Sequence, residues 1–114
     1  MKQQLKIAIP TVGQNLTAHF GHCDFFTIIE AEGNMIKKED FIIPPTHQPG
    51  VYPKFLAEQG VNIVITGGMG QRAQELFRQN NIQVILGVNQ GTPAELAKQY
   101  LDNQLESGQN LCDH

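Results

Sequence analysis

The chain has 114 residues, 40% of them hydrophobic, and a formal net charge of −3. That length makes one domain with enough apolar material for its own core, so folding needs neither a disulfide framework nor a structural metal. Scattered lysines and arginines without a basic stripe exclude a nucleic-acid-binding face, and no run approaches the ~18 apolar residues of a membrane span.

The amino terminus, MKQQLKIAIP, lacks the long apolar stretch and small-residue cleavage site of a signal peptide. With two cysteines, Cys23 and Cys112, this suggests a cytoplasmic protein whose thiols stay reduced. Leu5 to Pro10 is a short apolar run closed by proline, which predicts a buried strand. A long loop follows through Gly13, Asn15 and AHFGHCDF. FFTIIEAE (25–32) is rich in aromatic and β-branched residues, Gly33-Asn34 supplies a tight turn, and residues 35–43 return as the second arm of a hairpin. PPTHQPG (44–50) holds three prolines and a glycine and cannot be regular structure.

A short helix is expected over about 51–59 and a very apolar strand over 62–66. GGMG then leads into a helix in which Ala73, Leu76 and Phe77 share one face. Residues 82–86 form another buried strand. GTPAELAKQYLDN carries several start signals: Thr92 as N-cap, Pro93 at the first helical position and Glu95 to close a capping box. Leu96, Ala97, Tyr100 and Leu101 form its apolar face. Residues 104–114, with Gly108 and little apolar material, read as a flexible C-terminal tail after a domain spanning 1–103.

Strand, hairpin, then strand–helix–strand–helix predicts an α/β fold: a mixed five-stranded sheet with the first, fourth and fifth strands parallel and helices packed on it. The loops holding His19, His22, Cys23 and His47, and the glycine turns after the fourth and fifth strands, then emerge at one edge, where open α/β sheets bind ligands. The tail starts at the opposite edge but is long enough to return.

His19, His22 and Cys23 form an H-x-x-H-C run, and Cys112 and His114 repeat the pairing. Thiolate and imidazole are ligands for zinc, copper(I) and iron–sulfur species. The plain alternative is a solvated loop with Cys23 as a small buried residue. GGMG offers backbone N–H groups and a helix N-terminus to an anion, or only tight packing and a positive φ. It lacks the lysine and Ser/Thr of a phosphate loop. The single serine, Ser107, forms no nucleophile elbow, and the first strand has no carboxylate for magnesium, which removes hydrolase and nuclease readings.

KIAIP…HFGHCDFFTIIE, GVNIVITGGMGQRAQELF, NNIQVILGV and YLDNQLESGQNLCDH together resemble the dinitrogenase iron–molybdenum cofactor biosynthesis family, the NifX/NifB-type domains, over essentially the whole chain. The resemblance implies a ribonuclease H-like three-layer α/β fold and a non-enzymatic carrier or scaffold for an iron–sulfur or iron–molybdenum–sulfur cluster, exchanged with cluster donor and acceptor proteins. The family's H-F-G histidine falls on His19 and its glycine-rich motif on Gly67, Gly68, Met69 and Gly70. The expected metal ligands are therefore His19, His22 and Cys23, with Cys112 and His114, and the expected cofactor-binding turn is 67–70. A zinc- or copper-binding regulatory module and a metal-independent interaction domain are the alternatives.

Overall fold

The computed structural model describes residues 4–16, 24–43, 51–88 and 91–105. In chain order these form β1 (Gln4–Val12), β2 (Asn15–Leu16), β3 (Phe25–Glu32), β4 (Met35–Ile42), α1 (Val51–Glu58), β5 (Ile63–Ile65), α2 (Gln71–Gln79), β6 (Gln83–Ile85) and α3 (Pro93–Leu101). The sheet runs β4-β3-β1-β5-β6. β3 is antiparallel to both β1 and β4, whereas β5 is parallel to β1 and to β6. β1, β4, β5 and β6 therefore end at one edge, the carboxyl edge, where β3 begins.

The sheet is mixed, as expected, but has six strands rather than five. β2 pairs antiparallel with the end of β1, matching Thr11 to Leu16 and Val12 to Asn15. Two residues are too few for hydrophobic alternation to reveal. What makes them a strand is the left-handed Gly13 (φ 65) that turns the chain, and Leu16, which is buried in the core.

Two cores flank the sheet. One holds Ala8, Phe26, Ile28 and Val64 against Tyr52 and Leu56 of α1 and Phe77 of α2. The other holds Ile7, Ile9, Ile29, Ile63 and Ile65 against Leu96 and Ala97 of α3. The alternation of Ile7 and Ile9 with Ala8 sends successive side chains of β1 to opposite faces. α1 and α2 thus form one outer layer and α3 the other. Ala73 packs with buried Phe77 on the inner face of α2, and Leu76 is half-buried. No helix among the described residues is long and apolar enough to cross a membrane.

All three helices start at the carboxyl edge. α1 follows β4 and ends where the Lys6 ammonium, at the opposite edge, donates to the Gln59 carbonyl (2.8 Å). α3 ends where Lys98 donates to the Asn34 carbonyl (2.9 Å) in the β3–β4 turn. Gln104 then donates to the Gln99 carbonyl (2.7 Å), and Leu105 packs against the α3-side core. The described chain leaves at the edge away from the helix starts.

Candidate functional site

The carboxyl edge is built by the ends of adjacent strands. Thr66 closes β5 with its N–H on the Ile85 carbonyl (3.0 Å) and its hydroxyl on the Gly68 carbonyl (3.3 Å). The Gly67 carbonyl accepts from Gly87 (2.9 Å), which joins the glycine loop to the turn after β6. Positive φ is needed at Gly87 (φ 73) and not within 67–70, where one reading of GGMG expected it. Gly70 has φ −65 and ψ 155, the extended geometry of a helix N-cap.

Met69 is 1% exposed and packs in the core with Phe26, Tyr52 and Phe77. Its side chain anchors the loop from below and is turned away from the edge. The Met69 carbonyl is held by the Gln74 side-chain amide (2.9 Å), and the first helical bond of α2 runs from Gln74 N–H to the Gly70 carbonyl (3.1 Å). A helix begun this way directs its first-turn N–H groups and the positive end of its dipole out of the carboxyl edge.

The three helix starts differ. Neither α1 nor α2 has an acidic residue in its first turn, and Gly70 provides no side-chain cap. α3 is closed by the expected capping box: Thr92 Oγ1 accepts from Glu95 N–H (3.3 Å) and donates to Glu95 Oε1 (2.8 Å), which also faces Thr92 N–H (3.4 Å). Glu95 thus neutralises the α3 terminus, while among the described residues those of α1 and α2 carry no first-turn counter-charge.

His19, His22, Cys23, His47, Cys112 and His114 all lie outside the described residues. Among the described residues there is no group of three or more His, Cys, Asp or Glu able to hold a metal. The chain on either side of the H-x-x-H-C run is fixed at the carboxyl edge. Leu16 N–H donates to the Gly91 carbonyl (3.0 Å), beside the start of α3, and Asp24 N–H donates to the Thr11 carbonyl (2.9 Å) at the end of β1. β1 lies next to β5, so the run is anchored one strand away from GGMG.

Sequence reasoning missed a second feature of this edge. On the α3 side, Phe25, Phe41, Ile43, Pro93 and Ala94 wall an open groove of about 570 Å³ with Thr11 and Thr27 in its floor. Phe25 and Phe41 meet edge to face at 5.3 Å. Phe41 is 64% and Ile43 82% exposed. The floor hydroxyls are 2.8 Å apart, and Thr11 Oγ1 also donates to the Ile9 carbonyl (2.8 Å), so Thr27 is the donor between the two.

A sequence model of the family described as "Dinitrogenase iron-molybdenum cofactor" matches residues 3–103. The chain belongs to this family. The family is associated with iron–molybdenum cofactor biosynthesis. An uncharacterized protein of Methanocaldococcus jannaschii is 33% identical over 108 residues, covering 90% of each chain. The crystal structure of a protein designated PH0822 superposes with a TM-score of 0.84 at 30% identity, covering 90% of this chain and 94% of that one. The apo form of the orange protein from Desulfovibrio gigas shares the family fold at a TM-score of 0.74 and 19% identity, with 96% and 98% covered.

Proposed function

We propose that this protein is a non-enzymatic carrier of an anionic metal–sulfide cluster, an iron–sulfur or iron–molybdenum–sulfur species, passed between donor and acceptor proteins of cofactor assembly in the cytoplasm. The observation that carries the reading is the glycine loop: its backbone opens an uncapped helix without first-turn carboxylates, beside the anchors of the H-x-x-H-C run. A sulfide-bridged cluster needs soft ligands for its metal and N–H donors for its sulfides. His19 and Cys23 would ligate, with His22, and with Cys112 and His114 from the tail. Gly67 to Gly70 would supply close backbone approach. The strand order, with its one reversed strand beside β1, supports naming the fold ribonuclease H-like.

The test is anaerobic loading with iron and sulfide, followed by metal and acid-labile sulfide analysis. Stoichiometric labile sulfide, lost in His19→Ala and Cys23→Ala, is the expected result. Zinc or copper bound without labile sulfide would replace the reading with a simple metal-binding module, and no metal at all with an interaction domain.

A further inference from the structure

We infer that the groove beside the candidate site is a docking slot for the C-terminal segment of this same chain, with Leu111 as its anchor. The inference rests on the carrier reading for its purpose but not for its geometry. Leu105 packs against the core that also receives Ile36, just past the end of α3, which Lys98 ties to Asn34 in the turn before β4. Leu111 lies six positions further along the chain, an extended reach of ~20 Å. From Ile36 to Phe41, five residues along β4, the strand rises ~17 Å. Leu111 therefore comes level with Phe41 and the groove when the intervening chain runs alongside β4.

Composition favours the same match. Leu111 is the one large aliphatic side chain between residues 106 and 114, and Cys112 and His114 follow it directly. An apolar residue seated between Phe25, Phe41 and Pro93 would deliver those two ligands to the edge where Thr11 holds Asp24. Exposed Phe41 and Ile43 gain a partner without a second molecule. The closure entropy of so short a loop grows only with the logarithm of its length. Burial of one leucine favours docking by about ten- to a hundredfold, of the same order as the opposing closure term. Docking is then near balance in the apoprotein, and each metal bond made by Cys112 or His114 shifts it further.

The experiment uses the full chain with leucine and isoleucine methyl labelling, with and without zinc ion as a thiolate and imidazole probe. Seated against Phe41, the Leu111 methyls shift upfield by ring current, and Phe41→Ala abolishes the shift while the Ile7 and Ile29 methyls stay in place. Leu111→Ser is expected to weaken zinc binding five- to fiftyfold with no change in apoprotein melting temperature. Random-coil Leu111 methyls in both apo and zinc-loaded protein would overturn the inference, as would a shift insensitive to Phe41→Ala. Failure of the wild-type chain to bind zinc, iron or sulfide would sink the carrier reading instead, and leaves the methyl shift to decide docking by itself.

Discussion

Gly70→Asp separates folding from binding by moving them in opposite directions. Gly70 already has N-cap geometry, and a Cβ built there meets nothing within 4 Å. Aspartate can therefore enter without strain and accept from the first-turn N–H groups of α2. The cap itself contributes a few tenths of a kcal/mol over glycine, the dipole about 0.3–1, and loss of glycine freedom in the unfolded chain about 0.4–1. Together these predict a melting temperature several degrees higher. The same carboxylate stands where an anionic cluster would meet the helix. Two unit charges ~5 Å apart repel by about 3 kcal/mol at an effective dielectric of ~20. Solvent at exposed Gly70 screens this to roughly 1–2 kcal/mol, or about five- to thirtyfold in affinity. Gly70→Asn caps without charge and is expected to keep wild-type affinity. Differential scanning calorimetry of the apoproteins and anaerobic iron–sulfide titration with a competing chelator read the two effects. If the Asp and Asn variants bind equally well, the start of α2 does not face the cargo, and the electrostatic argument fails.

Three further outcomes are expected. His19→Ala and Cys23→Ala, and removal of bound iron by a chelator, leave far-UV circular dichroism and the apoprotein melting temperature unchanged, because the two closed cores hold the fold without metal. Met69→Ala empties a fully buried site and costs about 2–5 kcal/mol, against less than about 1.5 for Met69→Leu, measured by urea unfolding. Thr92→Ala removes the side-chain half of the α3 capping box, its hydroxyl bonds to Glu95, keeps the backbone N–H half, and lowers stability by about 0.5–2 kcal/mol in the same assay.

The elements legible in the sequence are those whose signal is local. FFTIIEAE with Gly33-Asn34 marked β3 and its turn, because aromatic and β-branched residues closed by a left-handed glycine have few other uses. Thr92, Pro93 and Glu95 marked the start of α3 for the same reason. What stayed hidden depends on tertiary register. Ile36 and Ile42 are both even-numbered in one strand and should share a face, yet they pack in opposite cores. The register shift opposite Glu30 and Ala31, which pair with Lys38 and Ile36, leaves Lys37 as an extra residue. That bulge turns Glu39, Phe41 and Ile43 toward α3 and creates the groove, which no period-two pattern could announce. The positive φ sought in GGMG sits at Gly87, across a hydrogen bond that only the paired loops reveal. Of the candidate site, the edge was legible because strand direction follows from connection lengths. The candidate cation ligands lie outside the described residues, and the described edge supplies the backbone loop and the anchors around them.

The carboxyl edge divides into two halves with different chemistry. On one side of the sheet, α1 and α2 present helix starts without carboxylates, so backbone N–H groups and dipoles favour negative charge. On the other, Glu95 has already answered the dipole of α3, and the surface next to it is apolar. An anion arriving at this edge is drawn to the α1/α2 half, whereas an apolar segment is accepted by the α3 half. The described residues that flank the run from His19 to Cys23 are fixed at this edge, Leu16 beside α3 and Asp24 at the end of β1. On the proposed carrier reading, the soft ligands of that run would meet a cluster on the polar side, and the tail would cover the apolar one. Since both cores close below the edge, exchanging one ligand for another would alter the affinity for the proposed cargo and leave the energy of the sheet intact. A carrier needs that separation, because loading and release must not require the domain to unfold.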